Sequence, residues 1–476
     1  MMWLVAGALL LGAGMRMQIP IAPWLALTFL LHGARTLPVL PGMTSVAVTL
    51  YATLAVAERG ILPIPGPAYF GVIAALTLTA TLPFVADRLA GVRLSGWAAT
   101  LIFPMAWVAF EFLQSRFTPN ATWGSLAYTQ YGNLPLMQLA AVTGIWGITF
   151  LIAWFASVIN AAVRPFVLGY AAILGFVLLA GAVRIALVPS GRSTLRAAAV
   201  SFPSGLFPPG EVTRILEGRV EGSEVGDKLA CLHEWFLDRS RREARAGAKL
   251  VAWPETSLIV FQEDEAVFLE RAARLAADEK IFLAMGMGTV QLHAAKPVEN
   301  KAVLIDPSGS IAFSYRKSHP VAGWEARVMK PGDGRLPVVP TAEGRMAAAI
   351  CYDGDFPEFI RAVGRARADI FFLPANDWAG IKRIHFEMAA FRAIENGVPL
   401  VRAASSGISG AFDAWGRVMG EADHFSGAAT MVAQVPLGNV ATVYPRTGDL
   451  FAWLCVAGLA VAAIVAVIAP QGRPHG

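Results

Sequence analysis

The chain reads as a multi-pass α-helical membrane bundle joined to a water-soluble α/β domain of layered sheets and helices. Three observations predict this class. Of 476 residues, 55% are hydrophobic and 15% charged, with mean hydropathy +0.54; soluble domains run near a quarter charged. The charge is segregated, because only 11 of the 73 charged residues precede Ser190. Beyond Arg192 the apolar runs shorten to strand length and alternate with amphipathic helices, the texture of an α/β domain.

The apolar runs before Ser190 predict membrane helices near Trp3–Gly14, Ile21–Leu31, Gly42–Val56, Ala68–Ala86, Gly96–Leu113, Leu136–Val158 and Phe166–Leu187. A span needs about 20 apolar residues to cross a ~30 Å hydrocarbon core. The first two runs are short, as two tilted helices or a re-entrant pair would be, so the count before the soluble part is six or seven. The first run has neither a basic flank nor a cleavage site, and more apolar runs follow at once, so it is expected to stay as a span. A last uncharged run, Leu450–Ala469, predicts a further helix.

Between these parts, strands are expected at Leu195–Phe202, Lys249–Trp253, Ile281–Met287, Ala302–Ile305, Ile311–Tyr315, Met346–Ile350, Ile370–Leu373 and Leu400–Ala404. Helices are expected at Asp227–Ala246, Ala266–Glu279, Pro357–Arg367 and Arg383–Asn396. Val188–Thr194 is the expected linker. The domains are therefore a bundle over 1–190, a soluble domain over 191–448, a closing helix over 449–470 and a tail over 471–476.

With seven helices and an inner N-terminus, the inner loops carry Arg35, Arg88, Arg93, Arg164 and Arg473 and the outer loops Arg16, Arg59 and Arg116. The positive-inside rule then places the α/β domain outside the cytoplasm. A net charge of +5 without a basic cluster excludes a nucleic-acid partner. Three cysteines make no disulfide framework.

Cys231, in an amphipathic helix, and Cys455, in the last membrane run, read as small buried hydrophobes. Cys351 differs, because it ends an apolar strand and opens into Tyr-Asp-Gly-Asp-Phe-Pro-Glu. Strand ends are where α/β sheets put reactive groups. Glu255 likewise follows the strand Lys249–Trp253, and Lys317 follows Ile311–Tyr315. Each alone reads as solvated surface; three in one domain make a candidate site for a thiol with a base and an oxyanion partner. No HExxH, paired CxxC or phosphate loop is present, so no metal or dinucleotide cofactor is expected.

Trp253-Pro-Glu-Thr, Tyr315-Arg-Lys-Ser-His and Ile350-Cys-Tyr-Asp resemble the Glu–Lys–Cys signature of the nitrilase superfamily. Phe356-Pro-Glu, Pro374-Ala-Asn-Asp-Trp, His385, Arg392-Ala-Ile-Glu and Val401-Arg-Ala-Ala-Ser-Ser-Gly-Ile-Ser follow in that family's order, and the resemblance spans Leu195 to about Pro445. In the membrane part, Pro104–Glu111, Trp123-Gly-Ser-Leu-Ala-Tyr-Thr-Gln and Gly144–Phe150 resemble apolipoprotein N-acyltransferases.

The resemblance implies a nitrilase-like four-layer αββα sandwich on the extracytoplasmic side of a bacterial inner membrane. It also implies acyl transfer from a phospholipid, through a cysteine thioester, to the N-terminal amine of a diacylglyceryl-cysteine lipoprotein. Cys351 would be the nucleophile, Glu255 the general base and Lys317 the oxyanion cation. Glu325 would orient the site, Tyr352 and Asp353 would flank the nucleophile, and Trp123 would sit near the lipid entry. Bland roles are Trp123 as an interfacial anchor, Asp353 as a helix cap, Glu111 as a helix-end residue reaching the interface, and His385 as a structural helix residue. The carboxylate and ammonium are expected to favour the thiolate.

The partners are membrane lipid, the phospholipid donor and the lipoprotein acceptor, and the chain is expected to act as a monomer. Val321-Ala-Gly-Trp-Glu departs from the family's Pro-Phe-Gly-Glu, and only 34 positions separate Lys317 from Cys351, where a lid would lie. A membrane-anchored amidase with water as acceptor, or a non-enzymatic transporter or scaffold, are the competing readings. The first has no need of the Pro104–Phe150 motifs, and the second has no need of an intact triad.

Overall fold

The computed structural model describes residues 2–189, 193–202, 205–427 and 430–468. The expected linker lies partly, and the tail with Arg473 wholly, outside them. The chain divides into two compact units, Met1–Leu187 with Thr447–Gly476, and Val188–Arg446.

The first unit is helical. In order come α1 (Met2–Met17), α2 (Ala22–Thr36), α3 (Val39–Ala57), α4 (Pro67–Ala90), α5 (Gly96–Phe117), α6 (Leu134–Met137), α7 (Ala140–Thr143), α8 (Trp146–Ala161) and α9 (Arg164–Leu187), and Leu450–Ile468 closes the unit. Among the described residues, α3, α4, α5, α9 and Leu450–Ile468 are long and apolar enough to cross a membrane, and a broken pair makes a sixth. At 1.5 Å per residue, α1 and α2 are only about 24 and 23 Å long, short of a full hydrocarbon core. They pack closely because glycines face bulky partners: a Cβ on Gly7 would meet Leu30 at 2.9 Å, and one on Gly33 would meet Leu4 at 2.7 Å.

The expected continuous span Leu136–Val158 is instead broken. Leu134–Thr143 and Trp146–Ala161 meet at 117°. Gly144, at φ +65°, ends α7 in a backbone conformation that side chains disfavour, and the chain turns there. Polar groups tie the bundle together. At one end Arg35 clamps Asp87 through two bonds of 2.9 and 2.7 Å and reaches Ser157 at 3.2 Å, joining α2, α4 and α8. Arg88 donates to the Arg35 carbonyl and Arg93 to that of Ala466. Near the far end of α5, Glu111 is buried. It accepts from Trp107 Nε1 at 2.9 Å, Leu126 N at 3.0 Å, Ser125 Oγ at 2.6 Å and Thr149 Oγ1 at 2.9 Å. Glu111 is thus a buried anchor rather than an exposed helix-end residue; it fastens the Trp123-bearing loop to α5 and α8.

The second unit is a sandwich. Its strands are β1 (Ser193–Val200), β2 (Leu250–Ala252), β3 (Leu258–Phe261), β4 (Phe282–Val290), β5 (Val298–Ile305), β6 (Ile311–Arg316), β7 (Val338–Thr341), β8 (Gly344–Ala348), β9 (Ile370–Phe372), β10 (Ala375–Asn376), β11 (Leu400–Arg402), β12 (Ala404–Ser405), β13 (Ile408–Phe412), β14 (Val418–Asp423) and β15 (Thr430–Leu437). One large sheet runs β15-β1-β2-β4-β5-β6, with β3 also on β4, a second runs β14-β13-β11-β9-β8-β7, and β10 and β12 pair as a separate two-stranded sheet. Strands β1, β2 and β4 are parallel, as are β8, β9 and β11, so β2 and β8 both end at a carboxyl edge.

Alternation along each strand divides the residues between two faces. Ala197, Ala199, Leu250, Ala252 and Phe282 pack against Met346, Ala348, Ile370, Phe372 and Val401 to fill the space between the sheets. Ala198, Val200, Val251 and Leu283 point the other way. They meet α11 (Gly222–Arg245) through Leu232 and Phe236, and α12 (Glu265–Glu279) through Phe268 and Leu275; α10 (Glu211–Leu216) precedes these. Helix α15 (Lys382–Asn396) covers β11 and β13 on the outer side of the second sheet, and α14 (Pro357–Arg365) packs on it. The order is helices, sheet, sheet, helices, a nitrilase-like αββα sandwich; α13 (Trp324–Val328) is a short excursion between β6 and β7.

Candidate active site

Three strand ends converge. Glu255 follows β2, Lys317 follows β6 and Cys351 follows β8, and all three are nearly fully buried. Lys317 Nζ lies 2.8 Å from Glu255 Oε1 and 2.7 Å from Glu325 Oε2. Glu255 is held on every side: Asn300 Nδ2 donates to Oε1 at 2.7 Å and Asn376 N to Oε2 at 2.9 Å. Its backbone lies against β4, where Gly286 leaves room. A Cβ at Gly286 would sit 2.0 Å from the Pro254 carbonyl.

Two neighbouring backbones are strained. Cys351 has φ +48° and Thr256 φ +45°, conformations rare outside glycine and concentrated at functional sites. The Cys351 N–H donates to the Pro374 carbonyl at 2.8 Å, which fixes the turn.

Asp353 is wholly buried and is not a cap of the following helix. It accepts from Tyr315 Oη at 2.7 Å, His319 N and Nδ1 at 2.8 Å each, and Ile350 N at 3.1 Å. It therefore pins the Lys317 loop to the Cys351 turn. Glu325 lies in the divergent Val321-Ala-Gly-Trp-Glu stretch, on α13, and still reaches Lys317; the Val321 N–H also donates to it at 2.8 Å. Tyr352 is buried beside the nucleophile position, its hydroxyl pKa raised by burial and then by Asp355. Trp123 belongs to the membrane unit, half-buried in the loop that Glu111 fastens.

Electrostatics correct one expectation. Burial first, and the Glu255 carboxylate second, push the Cys351 thiol well above the usual thiol range, against the pull of Lys317. The resting sulfur is therefore protonated, because a thiolate in a dry site faces a carboxylate as well as an ammonium. Burial alone would depress Lys317, but Glu255 and Glu325 overcome it, so the lysine is a fixed cation. A neutral thiol beside a buried carboxylate can lose its proton as it attacks.

Sequence reasoning did not single out Asn300, the partner of Glu255, although a buried asparagine in the apolar run of β5 was its signal. It also left out the charges behind the thiol. Cys351 Sγ, an Asp377 oxygen and a His385 nitrogen lie within 4.8 Å of one another, a spacing a metal could bridge. The imidazole nitrogens already face Asp377 and Asp355, and Arg402 covers both Asp377 oxygens. The group is an ion-pair network, with no nitrogen left to ligate a metal.

This fold and site are those of the carbon-nitrogen hydrolase superfamily, in a chain that also carries helices long and apolar enough to cross a membrane. The carbon-nitrogen hydrolase model matches residues 228–444, and the apolipoprotein N-acyltransferase N-terminal domain model matches residues 6–158. The apolipoprotein N-acyltransferase of Geobacter metallireducens is 30% identical over 410 residues, covering 78% of this chain and 75% of that protein. That of Rhodopseudomonas palustris is 27% identical, covering 77% and 72%. The chain belongs to the apolipoprotein N-acyltransferase family. Its solved structural neighbours include an amidase from Nesterenkonia sp., with TM-score 0.41, 20% identity and coverage of 56% of this chain and 97% of that one.

Proposed function

We propose that the protein moves an acyl chain from a membrane phospholipid to the N-terminal amine of diacylglyceryl-cysteine lipoproteins, through a thioester on Cys351. It does so as a monomer in a bacterial inner membrane, with the catalytic unit on the extracytoplasmic side. The observation that carries this reading is the convergence of Cys351, Glu255 and Lys317 in one buried site, in a chain whose other unit is a bundle of membrane-length helices. The orientation is supported by the gathering of Arg35, Arg88 and Arg93 at one end of that bundle.

Cys351 Sγ attacks the ester carbonyl while Glu255 takes the thiol proton. The tetrahedral oxyanion faces the Lys317 ammonium and the Tyr352 amide. Its collapse breaks the ester C–O bond, and the departing lysophospholipid alkoxide takes the proton back from Glu255. The thioester carbonyl is then attacked by the acceptor amine, which gives a proton to Glu255. The C–S bond breaks, and the sulfur leaves and is reprotonated. Both substrates carry acyl chains, which accounts for building this site onto membrane helices. Trp123, on the loop anchored by Glu111, would contact the lipid.

The test combines the purified protein, vesicles of acyl-labelled phospholipid and a diacylglyceryl-cysteine peptide. The expected product is the peptide with label on its N-terminus as a hydroxylamine-resistant amide. Labelled free fatty acid without acylated peptide would replace this reading by a hydrolase with water as acceptor.

A further inference from the structure

Behind the thiol lies a buried charge cluster that the acyl-transfer steps do not use. His385, on α15, is 4% exposed. Its Nδ1 stands 2.7 Å from Asp377 Oδ1 and its Nε2 3.2 Å from Asp355 Oδ1. Arg402 Nη2 also lies 3.1 Å from Nδ1, but the Asp377 contact is the shorter, so the ring donates to a carboxylate from each nitrogen and is an imidazolium. Burial pulls its pKa down, but Asp355 and Asp377 more than offset this and hold it at about 9. Arg402 Nη2 meets the Asp377 oxygens at 2.8 and 2.7 Å. The cluster is two carboxylates balanced by two cations.

This cluster touches the site at two places. Its Asp377 and His385 atoms lie within 4.8 Å of Cys351 Sγ, and Asp377 follows Asn376, whose N–H holds Glu255. Asp355 closes the same short turn that Cys351 opens. The charged groups around the sulfur are Glu255 beyond β2, Lys317 beyond β6, Glu325 on α13, Asp353 and Asp355 on its own turn, Asp377 beyond β10, His385 on α15 and Arg402 on β11.

We propose that His385 is a positioning residue for Cys351: together with Arg402, its positive charge balances Asp355 and Asp377 behind the thiol, so that the sulfur can give its proton to Glu255 without facing an uncompensated carboxylate. The proposal rests on Cys351 being the nucleophile. Removing the imidazolium leaves one excess negative charge in a dry pocket, and a like charge at that range disfavours ionisation of an acid. The effect must therefore reverse when a carboxylate of the cluster is neutralised instead.

The test is alkylation of Cys351 by iodoacetamide as a function of pH, read at Cys351 by peptide mass, on the full-length protein carrying Cys231→Ser, because Cys231 is exposed rather than buried as its sequence suggests. Iodoacetamide needs neither lipid nor acceptor, so the result stands whether or not acyl transfer is the activity. His385→Gln should slow alkylation near pH 7.5, where the imidazolium is still charged, by about tenfold, and the gap from wild type should close as pH rises through about 9, where the wild-type ring loses its proton. Asp355→Asn with His385→Gln should bring the profile back, because charge balance returns and the two amides can bond each other. Asp355→Asn alone should move the midpoint down. An unchanged profile in folded His385→Gln, or a double variant as slow as the single, overturns the proposal. If His385→Gln does not fold, Asp355→Asn decides, and an unmoved or raised midpoint overturns it. A wild-type Cys351 inert at every pH would remove the nucleophile reading and this proposal together.

Discussion

Replacing Lys317 by methionine keeps an unbranched side chain, one heavy atom shorter, and deletes the charge. Lys317 is 1% exposed and sits 2.8 and 2.7 Å from two carboxylates. Deleting one partner of a buried ion pair costs about 3–5 kcal/mol, because the charge left behind has no counter-ion. Glu255 keeps Asn300 and Asn376, and Glu325 keeps Val321 N and is 19% exposed, so the lower end applies. A loss of about 3 kcal/mol in a unit of this size corresponds to a fall in Tm of about 6–12 °C. The acylation rate should fall about 10²–10³-fold, the loss typical of an oxyanion donor.

The double variant Glu255→Gln, Lys317→Met separates the two effects. It removes both charges, so it should recover at least about 1 kcal/mol over Lys317→Met, since a neutral pair of similar volume is often as stable as the ion pair. It should recover no activity, because the base is gone as well. The assay is thermal unfolding followed by tryptophan fluorescence, beside thioester formation followed by mass. A Lys317→Met variant as stable and as fast as wild type, or a double variant no more stable than the single, would refute the reasoning.

Gly286→Ala places a methyl group 2.0 Å from the Pro254 carbonyl. It should cost about 1–3 kcal/mol and, by moving Glu255, lower kcat more than KM; steady-state kinetics at wild-type level would show that Glu255 tolerates displacement. Glu111→Ala strands four donors on Trp107, Leu126, Ser125 and Thr149. Hydrogen exchange should rise across residues 122–130, and unchanged protection would mean the loop is held by packing instead. His385 is raised from 6.5 to about 9 in the fold. Its stabilisation is therefore complete below about pH 6.5 and is lost as pH rises through about 9, on the order of 3 kcal/mol. Melting curves should fall across that window for wild type and less so for His385→Gln; parallel curves would contradict the imidazolium assignment.

Much of this organisation is legible in the sequence for a physical reason. A buried strand that stops at a polar residue marks a sheet edge, and Glu255, Lys317 and Cys351 each carry that mark. The layered α/β class follows from run length and periodicity. What stays hidden depends on single backbone angles or on distant partners. Gly144 breaks a helix that its apolar neighbours predict to be continuous. Strands β10 and β12 have two residues each and no pattern to read. Asp353 looks like a helix cap by position, and only the folded chain brings Tyr315 and His319 onto it. The thiol's protonation stays hidden because sequence names its charged neighbours but not its burial, and burial is the largest influence. His385 reads as one more helix residue until Asp355, Asp377 and Arg402, from three other segments, close around it.

The central claim is that Cys351 takes an acyl chain from phospholipid. The most direct measurement is the intact mass of the full-length protein after incubation in phospholipid vesicles, with Cys351→Ala alongside. The expected result is an acyl-sized, hydroxylamine-labile increment on the wild type and none on the variant. An unmodified wild type with its thiol and fold intact, or the same increment on Cys351→Ala, would contradict it.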